Sequence, residues 1–426
     1  MSPKPGSWRP LALLRPHWLP VGAGTAMVVA FCLLKLGIAH SIGRTIDGLR
    51  GPAAAGADGL RANIGLLVSL IVGEAVCRYF ARRWIIDSSR HIEARLKSML
   101  MRHMARLPVA WYDRARTGDL LSRLTQDVEL VRFLIGPTVM YGAQILVTVP
   151  AGFVLMASLS TKVTVAIGVA FAGLLVAMLW LLPRMKTYSD RVQEDIGAIS
   201  QHAQDSFAGI HVLLHFAKAR VFAAQLDRLN ERYVTDNMAM TRFRALVHLF
   251  IHLCTDVVVL CVLVFGVLEV RDGRMTLGGL VEFLTVMGFL VWPMIASGWI
   301  LGTIHRARAA VQRIDEVLLA APEDTAGLAT VSDASIRVRD LTFSYPGESE
   351  PALHGIDFEL KAGGKLGLVG AVGSGKSTLL HLLLRLYDPP RGTVWVGGHD
   401  VLDLELTALR HQFALAAQEP FLFSDT

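Results

Sequence analysis

Cysteine is scarce in this chain: four in 426 residues, Cys32, Cys77, Cys254 and Cys261, each within or at the end of an apolar segment and none in C-x-x-C spacing. That excludes a disulfide framework and offers no zinc pattern, so the four read as small apolar fillers. The basic amino terminus (Lys4, Arg9, Arg15) is not followed by a short apolar core with a small-residue cleavage site, so no cleaved signal peptide is expected. Charge is also thin, at 18% Asp, Glu, Lys and Arg, and the apolar runs 137–158 and 163–183 carry none of it. Lys and Arg exceed Asp and Glu by 42 to 36, but the surplus follows membrane topology and does not point to nucleic acid.

What the chain has in quantity is apolar sequence. Hydrophobic residues make up 53% and mean hydropathy is +0.45, above the roughly 45–50% apolar content of soluble domains. Runs near 18–40, 62–86, 137–158, 163–183, 246–268 and 279–304 are long enough to cross the hydrocarbon layer as helix, which takes about 20 residues. Six spans are expected, the second being the least clean because Glu74, Arg78, Arg82 and Arg83 interrupt it.

Basic residues set the orientation. Twelve Lys or Arg lie from Arg78 to Arg132 and nine from Arg184 to Arg244, whereas the opposite loops hold only Arg44, Arg50, Arg61, Lys162, Arg271 and Arg274. Both termini and the two long connections are therefore expected on the cytoplasmic side of a multi-pass protein of the cell (inner) membrane. Those connections are charged, rich in helix formers and poor in Gly and Pro, so each is read as two helical legs that extend the membrane helices. A leg of about 25 residues would reach roughly 37 Å at 1.5 Å per residue.

The composition changes after Leu318. The expected division is a transmembrane domain over 1–318, a linker over 319–334 and a soluble domain over 335–426. Alternating Ile336, Val338, Leu341 and Phe343 suggest a strand, as do Ile356, Phe358 and Leu360, and Leu366 to Val369 reads as a third that leads into a glycine loop. The leucine-rich segment 378–386 reads as the following helix.

That loop, Gly370-Ala371-Val372-Gly373-Ser374-Gly375-Lys376-Ser377 followed by Thr378, fits the phosphate-binding pattern G-x-x-x-x-G-K-[ST]. Glycines 370, 373 and 375 let the backbone curl until several N–H groups point inward, and the helix that follows adds its positive end. Lys376 would reach the β and γ phosphates of ATP, and Ser377 would bind Mg²⁺. The competing reading is a glycine turn ahead of an amphipathic helix.

With these residues the chain resembles the ABC transporter family, specifically the bacterial exporters whose six-helix membrane domain is fused ahead of an ATP-binding domain. The resemblance implies an α-helical membrane domain followed by an α/β P-loop nucleotide-binding domain. Phe343-Ser344-Tyr345-Pro346 is similar to the family's adenine-stacking loop, with Tyr345 as the ring, and Tyr387-Asp388-Pro389 and Leu409-Arg410 fall where the family has similar residues. Gln418 resembles the glutamine that touches Mg²⁺ and senses the membrane domain. Leu107 to Asp113 and Thr117 to Val128 are similar to the first intracellular connection, which docks a tip helix on the nucleotide domain, with Trp111 and Tyr112 as aromatic anchors beside Asp113. Gln204 to Ile210, which includes Gly209, is similar to the second coupling region. Leu290 to Trp299 and Arg306 to Leu318 resemble the multidrug-resistance-like half-transporters, many of which pair with a different half-transporter.

The family's LSGGQ-type signature, its acidic strand with the catalytic Glu and its switch His all belong beyond Thr426. The expectation is therefore of a fragment or truncated frame that carries no catalytic residue and does not hydrolyse ATP alone. Ionisable residues in the spans are functional candidates because they are expensive in lipid. They are Lys35, Glu74, Asp256 and Glu282, with His248, His252 and Asp256 on one face of the fifth span. Glu74 and Asp256, near mid-depth, are the candidates for contact with an amphipathic cation, and interhelical polar packing is the competing reading. An exporter, a nucleotide-binding membrane regulator and an ATP-gated channel all stay open.

Overall fold

The computed structural model describes residues 13–49, 57–328 and 333–416 and divides the chain into two compact units. The first comprises Met1–Ala23, Arg83–Val139 and Ile300–Thr426, the second Gly24–Arg82 and Met140–Trp299. Long helices dominate: α1 (Trp18–Gly48), α2 (Ala57–Met104), the short α3 (Val109–Tyr112), α4 (Thr117–Ser122) and α5 (Val128–Ile135), then α6 (Pro137–Leu159), α7 (Thr161–Ala208), the short α8 (Ile210–His215), α9 (Ala219–Arg271) and α10 (Leu277–Leu319).

Among the described residues, four helical stretches are long and apolar enough to cross a membrane: Arg15–Gly48, Gly59–Met104, Thr117–Leu159 and Leu277–Leu319. The expected spans near 163–183 and 246–268 lie in α7 and α9, helices of 48 and 53 residues in which several side chains fall outside the description. The outgoing leg of the first connection and both legs of the second continue α2, α7 and α9 without a break, whereas the returning leg of the first is divided between α4 and α5 and ends at Gly136 before α6. α7 and α9 face each other through Tyr188 and Phe243, whose ring centres are 5.3 Å apart, and through Arg232 Nε at 2.8 Å from the buried Asp195 carboxylate.

The second unit's core joins Leu36 and Ala39 of α1, Met156 of α6, Val163 and Ile167 of α7, Val258 and Val262 of α9, and Phe283, Val286 and Leu290 of α10. α1 and α10 approach at backbone distance. A Cβ on Gly278 would stand 2.0 Å from the Gly43 carbonyl oxygen, so no side chain fits there. The Gly278 N–H, unpaired within its own helix at the first turn, donates to Asp47 Oδ1 at 2.7 Å.

In the first unit, the returning leg of the first connection packs on the end of α10. Ile92, Leu96 and Leu100 of α2, Val128, Val131 and Ile135 of α5, and Ile314 and Val317 of α10 form one cluster. Arg313 clamps Asp127 with both arms of its guanidinium, at 2.8 and 2.5 Å, and Arg123 donates to the Arg313 carbonyl at 2.9 Å.

The soluble part is built on β1 (Ile336–Phe343), β2 (Leu353–Leu360), α11 (Lys376–Leu383), β3 (Val394–Val396), β4 (His399–Asp400) and α12 (Leu406–Arg410). Its sheet runs β2-β1-β3-β4, all antiparallel, with Val338 opposite Phe358 on one side and Val394 on the other. Val338 and Leu341 are three apart yet both buried, which strict alternation forbids; a register shift between them, with Asp340 at φ +43, restores the inward face. The strand expected over Leu366 to Val369 does not form. A strand needs a ladder partner, and among the described residues both edges of the sheet run without it; Val369 stands fully exposed.

Candidate nucleotide site and its links

The glycine loop runs directly into α11, and its shape depends on residues without a Cβ. Gly375 caps the helix at φ +85, the left-handed region, where a Cβ would lie 2.6 Å from the Ala352 carbonyl and 2.5 Å from Leu353 Cδ2. Gly373 has the same φ, and a Cβ on Gly370 would meet Ser374 Oγ at 2.6 Å. Lys376 folds back over the loop, with Nζ donating to the Gly370 and Ala371 carbonyls at 2.9 and 2.7 Å and to Ser374 Oγ at 3.2 Å. Those acceptors hold an ammonium over the curl of the loop, and phosphate oxygens can replace each of them. Ser377 lies exposed in the first turn of α11, where backbone N–H groups have no acceptor within the helix. The donor set suits a polyphosphate with its metal ion.

Thr378, next in the chain, is buried, and Tyr345 Oη donates to its hydroxyl at 3.0 Å. The structure thus brings Tyr345, the ring expected to stack on adenine, to the first turn of the phosphate-loop helix, across 33 residues of sequence. Gln418 lies outside the described residues.

Tyr345 does not stand alone. Its ring meets Phe343 at 5.3 Å and Tyr387 edge-on at 5.0 Å, and His381 lies 6.2 Å from Tyr387. Tyr387 Oη donates to Asp113 Oδ2 at 2.6 Å, a link between the soluble domain and the tip of the first connection. Burial, and then the neighbouring Asp113 carboxylate, hold the Tyr387 hydroxyl well above the ordinary tyrosine range. Of the three tip residues, Asp113 is the one whose side chain hydrogen-bonds to the soluble domain. Tyr112 instead donates to the Met104 carbonyl at 2.7 Å, and Trp111 packs on the apolar cluster of its own connection. Gly209 forms the break between α7 and α8.

Sequence reasoning missed two further ties. Arg410 grips Glu323 of the linker through both guanidinium arms, at 3.0 and 2.9 Å, and the Glu323 N–H donates to the Arg106 carbonyl at 2.8 Å. The Asp113–Tyr387 pair spans 274 residues, and no local pattern signals it.

In the second unit, Glu74 is buried and bound to Arg78 one turn along α2, with Nε at 2.9 Å. Lys35 sits over the Phe289 ring at 4.3 Å. Glu282, also buried, lies 3.0 Å from His40 Nδ1. Asp256 is exposed, and His248 and His252 stack with ring centres 6.4 Å apart. Glu74 and Asp256 differ, then, in burial and in partners.

A family model for the ABC transporter transmembrane region matches residues 21–294, and one for the ABC transporter domain matches 353–426. The ATP-dependent lipid A-core flippase of Nitrosococcus oceani is 28% identical over 98% of this chain and 70% of its own length. The multidrug resistance-like ATP-binding protein MdlA of Escherichia coli is 28% identical over 97% of this chain and 70% of its own. A probable multidrug resistance ABC transporter ATP-binding/permease protein, YheI of Bacillus subtilis, is 25% identical over 96% and 71%. With a helical membrane region followed by a phosphate-loop domain, and a family match across most of the chain, this protein belongs to the ABC transporter family, as a half-transporter of the bacterial exporter kind that binds ATP.

Proposed function

We propose that the chain is one half of a dimeric exporter that uses ATP to move a small or amphipathic substrate out across the cytoplasmic membrane. In this reading it has six spans over 1–318, a linker over 319–334, an ATP-binding domain from 335, and both termini in the cytoplasm. Lipid surrounds the spans, and the partner is a second half-transporter, a different chain being favoured over an identical one. The relatives' names, lipid A-core flippase and multidrug resistance protein, agree in pointing to amphiphiles.

Gly370, Gly373, Ser374, Gly375, Lys376, Ser377 and Thr378 would hold the phosphates, Tyr345 the base, and Ser377 with Gln418 the Mg²⁺. When bound, ATP supplies the free energy of the cycle, and Mg²⁺ neutralises charge on its phosphates. Lys376 would exchange its loop acceptors for phosphate oxygens, and Tyr345 would turn its face to the base. Asp113, with Trp111 and Tyr112 behind it and Gly209 at the second tip, would carry the resulting movement to the membrane helices.

The observation that carries this reading is the tyrosine path from the phosphate-loop helix to the tip of the first connection: Thr378, Tyr345, Tyr387, Asp113. The test is uptake of fluorescent amphiphiles into inverted membrane vesicles from cells expressing the gene, with Lys376→Ala as control. Uptake that needs ATP and Lys376 supports the exporter. Steady current at constant ATP without accumulation would replace it with a channel.

A further inference from the structure

Close to the point where Gly43 and Gly278 bring α1 and α10 to backbone distance, a histidine and a glutamate close the same seam. His40 Nδ1 lies 3.0 Å from Glu282 Oε1, and the two side chains are 46% and 4% exposed. The second carboxylate oxygen is pressed against α1, since a Cβ on Gly43 would stand 3.0 Å from Glu282 Oε2. Leu36 and Ala39 of α1 and Leu280 and Phe283 of α10 are buried in one apolar cluster on either side of the pair in sequence. Among the described residues, the charged group bonded to Glu282 is His40, the type of side chain that ordinarily changes its charge between about pH 5 and 8.

The other charges at this end of the helices are engaged elsewhere or stand apart. On α1, Asp47 accepts the Gly278 N–H at 2.7 Å, and Arg44 is exposed one turn beyond His40. On α2, Leu70 faces Gly37 and Asn63 faces Gly48; residues 62–73 hold no charge, with Arg61 and Glu74 flanking them. α6 carries no charge at all. Lys162 of α7, Glu269 and Arg271 at the end of α9, and Asp272 and Arg274 after it form ion pairs among themselves.

While one proton is held between them, His40 and Glu282 carry no net charge as a pair. Its loss leaves a carboxylate buried without a counter-charge, the costly half of a broken buried ion pair, and more so within a membrane helix. Separation of α1 from α10 relieves that cost, because water then reaches Glu282. We propose that His40 and Glu282 form a proton-held latch between α1 and α10, closed while the pair keeps its proton and released as alkali removes it. The closed seam is therefore most stable at the acidic side of the pair's titration and is lost as pH rises through it. The latch does not itself need the exporter reading. The claim that its release opens a path to the outer side rests on that reading, which puts this end of the two helices outside.

The Gly278 N–H, bonded across the seam to Asp47, is a reporter already in place. The test is hydrogen–deuterium exchange of the full chain in lipid nanodiscs from pH 6 to pH 9, resolved to Gly278 and corrected for the intrinsic pH dependence of amide exchange. Expected is a fall in protection of about tenfold across that range, the reach of one linked proton over one pH unit. His40→Arg keeps a cation at every pH and should hold the protection to pH 9. Glu282→Gln has no charge to strand and should show protection that does not vary with pH. His40 is half exposed, so its replacement is carried without disturbing the apolar cluster, and an unchanged circular dichroism spectrum checks this. A fall in the native chain that is absent from both variants upholds the latch. Protection in the native chain that ignores pH, or a fall that persists in His40→Arg or in Glu282→Gln, would overturn it. The full pattern in a chain that shows no ATP-driven uptake in vesicles would keep the latch and remove the exporter reading.

Discussion

Tyr387 donates its hydroxyl to Asp113 at 2.6 Å, and its ring stands 5.0 Å from that of Tyr345, whose own hydroxyl reaches the helix behind the phosphate loop. One aromatic residue therefore touches both the nucleotide side of the soluble domain and the tip of a membrane connection.

Tyr387→Phe keeps the ring and removes the link to Asp113. A double-mutant cycle with Asp113→Asn, read by urea unfolding of the soluble domain's near-ultraviolet signal, should give a coupling of about 0.5–1.5 kcal/mol, the net worth of one hydrogen bond at an accessible site. In vesicles the same substitution should lower substrate accumulated per ATP more than it lowers ATP affinity. Equal losses in both would count against a coupling role.

The pKa of Tyr387 is raised in the folded protein, so its neutral form is favoured. The stability it contributes is fully present below the unfolded tyrosine value of about 10 and is lost only as pH rises through the higher folded value. Burial raises Tyr112 as well, so ultraviolet titration of the folded protein should show Tyr387 and Tyr112 lagging behind the ordinary tyrosine range in alkali, and Tyr387→Phe should delete one late step and leave the other. Neutral pH should leave the tyrosine hydroxyl protonated and the link in place.

Gly375→Ala forces a left-handed backbone onto an L-residue and drives its Cβ against the Ala352 carbonyl. The left-handed conformation alone costs roughly 1–2 kcal/mol, so binding of a fluorescent ATP analogue should weaken at least tenfold. Gly347→Ala has a positive φ but open space around it and serves as the comparison: strain without collision, and no effect on the nucleotide.

Asp127 is 3% exposed and held by Arg313, itself 43% exposed. Arg313→Ala leaves that carboxylate buried and unpaired, a change worth about 1–3 kcal/mol once the solvent reaching the arginine is allowed for. The detergent-purified variant should melt several degrees lower. Arg313→Ala combined with Asp127→Asn should recover part of the loss.

Gly278→Val places side-chain atoms where the Gly43 carbonyl already stands. The first and last long helices must then separate, at about 1–3 kcal/mol for overpacking, and thermal stability should fall accordingly. Gly22→Ala, with nothing within 4 Å of the added Cβ, should not lower it.

The helical legs were legible because segments rich in good helix formers and poor in Gly and Pro leave the backbone little choice, and α7 and α9 run unbroken as expected. β1 was legible in place but not in detail. Its odd spacing, Val338 to Leu341, is a bulge signal that alternation alone passes over. The run Leu366 to Val369 has strand composition without a strand, because composition records the side chains and a strand also needs a neighbour's backbone. At Glu74, sequence identified the costly group, while the partner that decides its chemistry, Arg78, came from rotamer and burial.

The sequence by itself determined what is local: where the apolar runs lie, where glycines permit the left-handed turns of the phosphate loop, and that Lys376 and Ser377 follow them. These are properties of neighbouring residues, and periodicity, propensity and backbone sterics act over a few residues at a time. Tertiary structure alone decided which distant groups meet: Tyr387 with Asp113, Arg313 with Asp127, Gly278 with Gly43, and His40 with Glu282. Contacts between residues hundreds of positions apart are fixed by how helices and sheets bury their faces against one another, and a one-dimensional pattern carries no distance between them.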